Sequence, residues 1–283
     1  MHQLTTEPLT MAILNTGDLS LHVQRLLPAD GRPPVGTVVL LHGLFTDSLA
    51  SYYFTLAPAL AAVGFDVVMY DQRGHGRSDR PSNGYQLDAF VTDLDKLIGH
   101  LGISRPVHLI GNSYGGTVAF GYAVHRPEHT ASLLVIESEP ATSAWARKLH
   151  VLFPQIITQL CEDEARALAE ITNHYDARTA RLAKSASRLA RETTILQDIP
   201  SSTVLVDAQI QSVRCPVLAV YGGDGDLVAQ ASKMRTLLPD CRTNIVPGHK
   251  HSVLIEAPKL LRELAMSWLH DVSKPGSLET EKL

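Results

Sequence analysis

The sequence predicts an α/β fold, in which a mostly parallel sheet carries helices on both faces and is interrupted by an all-helical insertion. Three observations predict it. Strand-like and helix-like segments take turns through the first 140 residues and again after residue 203. The strand candidates are continuous aliphatic and β-branched runs, the pattern of strands buried on both faces. Between the two halves the rhythm stops, and residues 141–202 turn rich in Ala, Leu, Arg and Glu.

The elements follow in order. "MAILNT" and "LSLHVQRLL" form an opening hairpin, and "GTVVLLHG" is a buried strand ended by glycine. "SYYFTLAPALAAVG" reads as one helix closed by Gly64, followed by the strand "FDVVMYD". In "YQLDAFVTDLDKLIGHLG" the residues Leu87, Phe90, Val91, Leu94, Leu97, Ile98 and Leu101 share one helical face. "RPVHLIG" is a strand, "YGGTVAFGYAVHRP" a helix stopped before Pro127, and "ASLLVIE" a strand. After the insertion come "CPVLAVYG", a helix, "CRTNIVPG" and the helix "LLRELAMSWLHD", eight strands in all. Alternation of this kind implies βαβ crossovers. Residues 1–140 and 203–272 are thus expected to form one core domain, 141–202 a helical cap, and 273–283 a disordered tail.

A chain of 283 residues suits one large domain with an insertion. The net charge of -4 gives no reason to expect nucleic acid or an anionic membrane as partner. The N-terminus has neither a basic segment nor an apolar core of the signal-peptide kind, and no apolar run reaches membrane-spanning length. Cys161, Cys215 and Cys241 are far apart and odd in number, without metal-ligand spacing. These features are expected of a cytoplasmic protein that needs no metal and no cofactor.

Gly111-Asn112-Ser113-Tyr114-Gly115 carries the chemistry. It fits G-x-S-x-G between a strand and a helix, the context in which serine becomes a nucleophile on a sharp turn. Small neighbours are required because the backbone there is strained and crowded. The helix that follows points its positive dipole end at developing negative charge.

With these residues in view, the chain resembles the α/β-hydrolase fold superfamily over nearly its whole length. The matching pieces are His42-Gly43 after a strand, "DQRGHGRSD" at 71–79, the turn at Ser113, and "PGHKHSVLIEAP" near the C-terminus. The resemblance implies that Ser113 attacks a carbonyl and that His251, three residues after Gly248, is the general base. His249 is the competitor. It also implies an oxyanion hole made by the N–H groups of Tyr114 and of Leu44, with Phe45 as neighbour. The acid is ambiguous. In "YGGDGDLV" the family position falls on Gly225, flanked by Asp224 and Asp226. Some branches instead place the acid one strand earlier, where Glu137 ends an apolar strand. Glu137 is the favoured acid and Asp226 the alternative, whereas Glu139 reads as a strand-end residue reaching water. Asp71, Arg73 and His75 read as braces of neighbouring loops.

The implied reaction is hydrolysis of an ester, thioester or related small-molecule carbonyl compound through an acyl-serine. The same superfamily also contains C–C bond hydrolases of diketones, cofactor-free oxygenases and non-enzymatic ligand receptors, so these remain alternatives. Within the insertion, Arg178, Arg181, Lys184, Arg188 and Arg191 recur at steps of three and four, with Leu182, Ala186 and Leu189 on another face. The stripe is either a solvated face, paired with "EDEARALAE" at 162–170, or a docking surface for an anionic acyl carrier such as coenzyme A phosphates or an acidic carrier protein.

Overall fold

The apolar runs become eight strands of one sheet in a computed structural model that describes residues 11–28, 31–158 and 177–274. The strands are β1 Ala12–Asn15, β2 Ser20–Leu26, β3 Thr37–Leu41, β4 Asp66–Tyr70, β5 Val107–Asn112, β6 Thr130–Ile136, β7 Val217–Gly222 and β8 Cys241–Val246. Their spatial order is β1-β2-β4-β3-β5-β6-β7-β8. The opening hairpin and the β2–β4 pair are antiparallel, and every other pair is parallel.

The helices are α1 Leu49–Tyr53, α2 Ala57–Ala62, α3 Leu87–His100, α4 Tyr114–His125, α5 Ser143–Ile157, α6 Ala177–Glu192, α7 Ile195–Asp198, α8 Asp207–Gln211, α9 Gln230–Leu237, α10 Val253–Glu256 and α11 Pro258–Val272. Alternate residues of each central strand feed opposite faces, because successive side chains of a strand point opposite ways. Val38 and Leu40 join the layer under α1, α2, α10 and α11. Val39 and Leu41 join the layer under α3, α4 and α9. The predicted face of α3 is buried from Leu87 to Ile98.

One expected helix is two. The segment 51–64 breaks after Tyr53 and restarts at Ala57. Pro58 explains the break: it lacks the N–H an unbroken helix needs, yet suits the first turn of a new one, where it stands. Gly64 closes α2 at φ 100°.

Among the described residues, the stretch between β6 and β7 contains helices and no strand. Its ends meet where the Leu205 N–H donates to the Ala141 carbonyl at 2.7 Å. Its C-terminal part is tied to the loop before α3. Asp198 Oδ2 accepts from the N–H groups of Gly84 and Tyr85 at 3.0 and 2.9 Å, and Ser202 Oγ accepts from Leu87 N–H at 2.8 Å. Of the tail 273–283, Ser273 and Lys274 follow α11 directly, and the rest lies outside the described residues.

Candidate active site

Parallel register brings the ends of β3, β5, β6 and β7 to one edge. Leu41 pairs with Gly111, Asn112 with Ile136, and Ile136 with Val220. The residues that follow each strand are therefore neighbours, which is where ligands bind in open α/β sheets.

Ser113 occupies the turn between β5 and α4 at φ 52°, ψ -123°, with its N–H held by the Ile136 carbonyl at 2.8 Å. A side chain at position 115 would place a Cβ 2.1 Å from the Leu41 oxygen, so only glycine lets α4 start this close to β3. Three non-glycine residues among those described have positive φ: Phe45, Ser113 and Glu137. All three line the same cavity. Such conformations cost about 1–3 kcal/mol each and persist only where surrounding contacts impose them.

Ser113 Oγ lies 2.9 Å from His251 Nε2. On the far side of the ring, His251 Nδ1 lies 3.5 Å from Glu137 Oε2. Glu137 is 1% exposed, and its other oxygen accepts from the Gly222 N–H at the end of β7. A side chain at Gly222 would meet the backbone oxygens of His249 and Lys250 at 2.3 and 2.5 Å, so this glycine lets the histidine loop close over the carboxylate. The competitor His249 is turned to the Pro247 carbonyl at 2.9 Å. The ring of His251 is bonded to Ser113 and paired with Glu137, not with Asp226, whose charge acts instead on Lys148, whose ammonium burial pushes to lower pKa.

Leu44 and Phe45 follow β3. The Phe45 N–H donates to His75 Nε2 at 2.9 Å and is thereby occupied. The N–H groups of Leu44 and Tyr114 donate to no protein acceptor among the described residues, and both residues line the cavity beside Ser113.

The segment 71–79 braces these loops. Asp71 accepts from Leu49 N–H and Arg77 N–H, each at 2.9 Å, and Arg73 forms a two-pronged pair with Asp93 at 2.7 Å. Burial holds His75 neutral and pulls its pKa down to about 3, and burial likewise brings buried His108 to about 4. The unfolded chain protonates both near 6.5, so between about pH 6.5 and these lower values it binds more protons than the folded chain. Stability from this source is present above that window and lost as pH falls through it. The denaturation midpoint is therefore expected to drop between pH 7 and pH 4, and His108→Gln to flatten the slope. A midpoint constant over that range would contradict the neutral, buried state of these rings.

The cavity holds about 770 Å³. One wall is the apolar face of α5, with Trp145, Leu149, Phe153 and Ile156 at helical spacing; Leu182 of α6 and Phe45 extend it. Phe45 packs edge-on against Phe153 with ring centres 5.8 Å apart. Glu139 departs from expectation. It is 5% exposed and paired with Lys148 on the cavity wall, because the chain turns inward after β6 instead of continuing to solvent.

The cationic stripe lies on α6, whose Ala186 and Leu189 pack inward. Arg188 is bound two-pronged by Glu192 one turn on, at 3.1 and 3.0 Å. The 162–170 segment, the side chain of Arg178 and Cys161 lie outside the described residues. Among the described residues no helix is long and apolar enough to cross a membrane.

Comparison with known proteins agrees with this architecture. RutD of Caulobacter sp. (strain K31), named as a candidate carbamate hydrolase, is 27% identical over 239 residues, 75% of this chain and 84% of the relative. The proline iminopeptidase of Lactobacillus delbrueckii subsp. bulgaricus is 24% identical over 92% of this chain and 98% of its own length. The crystal structure of a proline iminopeptidase from Mycobacterium smegmatis superposes with a TM-score of 0.69 at 23% identity, covering 93% of this chain and 98% of that one. The family model for the alpha/beta hydrolase fold matches residues 36–258. With that match spanning the sheet from the start of β3 to the last helix, the chain belongs to the α/β-hydrolase fold family.

Proposed function

We propose that the protein is a serine hydrolase that cleaves an ester, or a related carboxylic-acid derivative such as a thioester or amide, through an acyl-serine intermediate. The observation that carries this reading is the 2.9 Å contact between Ser113 Oγ and His251 Nε2, with the Glu137 carboxylate behind the ring. Names of relatives that include a peptidase and a carbamate hydrolase fit acyl chemistry without selecting one leaving group.

In this mechanism neutral His251 keeps its proton on Nδ1, facing Glu137, and accepts the Ser113 proton at Nε2. The serine oxygen bonds to the substrate carbonyl carbon, and the carbonyl oxygen takes up the negative charge. The N–H groups of Leu44 and Tyr114 are the donors available to that oxygen, aimed where charge appears. His251 returns the proton to the leaving group as the C–O, C–S or C–N bond breaks. A water then repeats the sequence and frees the acid. Buried Glu137 stabilises the imidazolium formed in each half.

Helices α5, α6 and α7 act in this reading as part of a cap that shapes the acyl site. The aromatic and aliphatic wall from α5 favours an apolar acyl group over a small polar one. Each buried methylene is worth about 0.8 kcal/mol, so kcat/KM for p-nitrophenyl esters is expected to rise about two- to fourfold per added carbon from acetate to hexanoate. A burst of p-nitrophenol equal to one enzyme equivalent accompanies acyl-serine formation when deacylation is the slower half. A profile that falls with chain length would remove the apolar wall from acyl recognition.

A further inference from the structure

We propose that Asp47 is a positioning residue, whose carboxylate clamps the loop after β3 to the nucleophile turn and so keeps the Leu44 N–H aligned with that of Tyr114. The inference rests on the serine-hydrolase reading and adds to it a residue that no family motif supplied.

The geometry is that of a hub. Asp47 Oδ2 accepts from the Gly43 N–H at 2.6 Å and from Asn112 Nδ2 at 3.3 Å. Asp47 Oδ1 accepts from the Ser48 N–H at 2.9 Å and from the Ser51 hydroxyl. The Asp47 N–H turns back to the Leu44 carbonyl at 3.4 Å. One carboxylate thus joins the residue before Leu44, the start of α1, and the residue before Ser113. It forms no ion pair among the described residues, so its charge is balanced by neutral donors alone. It lies close to the chemistry: a Cβ built on Gly43 would sit 3.1 Å from Asp47 Oδ2 and 3.3 Å from Ser113 Cβ.

The loop needs such an anchor. Phe45 stands at φ 62°, a strained conformation for an aromatic residue, and its N–H is drawn outward to His75. The carbonyl of the peptide that carries the Leu44 N–H, that of Gly43, lies 2.6 Å from His42 Nδ1. The Gly43 bond to Asp47 fixes the preceding peptide, and these tethers together with the Phe45 bond to His75 define how the Leu44 N–H points. A carboxylate suits the position better than an amide, because four donors converge on it and an amide offers one acceptor oxygen.

The proposal concerns the tetrahedral state, since an oxyanion donor is used there more than in the substrate complex. Loss of one such donor costs about 10²–10³ in kcat, and a misaimed donor is a partial loss. Asp47→Ala is therefore expected to lower kcat about 100-fold and Asp47→Asn about tenfold, with KM held within about threefold. The dissociation constant of an arylboronic acid, which forms a tetrahedral adduct with the serine, should rise by the same factors as kcat falls. Asn112→Ala should cost part of the effect, and the double variant Asp47→Asn/Asn112→Ala should lose less than the product of the two singles, because both act through one clamp. Thermal unfolding identifies any variant that has lost its fold; if Asp47→Ala is one, Asp47→Asn and the double variant carry the test. Unchanged kcat in folded Asp47 variants would overturn the proposal, as would a loss in kcat that leaves boronate affinity intact. Those results would leave the wild-type serine chemistry standing, whereas an inactive wild type unlabelled at Ser113 would remove the underlying reading itself.

Discussion

Ser113→Ala is expected to lower ester turnover by about 10⁴-fold or more while leaving the thermal midpoint near that of the wild type. The size follows from the loss of the atom that becomes covalent, which no neighbour replaces. The retained fold follows from the position: Ser113 is held through its backbone N–H to Ile136, a bond that alanine keeps. Relief of the strained turn at φ 52° is not available to alanine either, since the surrounding sheet imposes it. Residual activity should be insensitive to His251→Ala in the same background, because members of a catalytic unit are strongly non-additive. Turnover within tenfold of wild type would mean that the hydroxyl takes no covalent part.

The second large effect is at Glu137. Glu137→Gln is expected to cost about 10³- to 10⁴-fold in kcat, because an amide neither stabilises the imidazolium nor holds the ring in the required tautomer. Asp226→Asn is expected to change kcat less than threefold, since Asp226 forms no hydrogen bond or ion pair with the histidine ring and its charge acts on Lys148. The contrast is sharper than either number alone. Steady-state kinetics on the two variants, both checked for folding, gives it directly. A reversed ranking would transfer the acid role to Asp226 and require the loop 223–228 to approach His251 in the working enzyme.

How much of this was legible in the sequence depends on the range over which each feature is determined. The buried strands and the serine turn are local: a run such as "VVLL" or the glycine spacing around Ser113 is satisfied within a few residues, and both stand where the pattern predicts. His251 was legible because its loop carries a family spacing, and His249 was excluded only by its turn toward the Pro247 carbonyl. The acid was not decidable in one dimension. Glu137 and Asp226 both follow strands that end at the same edge, and which carboxylate lies under the histidine is decided by the pairing of β6 with β7 and by the Gly222 N–H.

Other features were hidden for the same reason. Pro58 marks a break that the apolar pattern of 51–64 conceals, because both short helices bury the same layer. Glu139 reads in the sequence as solvent-facing, whereas in the fold α5 brings Lys148, nine positions away, against it. Asp47 belongs to none of the motifs read from the sequence. Its partners Gly43 and Asn112 come from two other loop ends, and contacts of that kind have no one-dimensional signature. For the stripe on α6, Arg181, Lys184, Arg188 and Arg191 are exposed opposite buried Ala186 and Leu189, while periodicity says nothing about use, as the Arg188–Glu192 pair engages one member within the helix.

The central claim is that Ser113, activated by His251, is the nucleophile of this protein. The most direct measurement is mass spectrometry of peptides from the purified chain after reaction with a fluorophosphonate, in parallel with Ser113→Ala and His251→Ala. The expected result is one stoichiometric adduct on Ser113 in the wild type, none in Ser113→Ala, and labelling slowed by orders of magnitude in His251→Ala. An adduct on another residue, or equal labelling of wild type and Ser113→Ala, would contradict it.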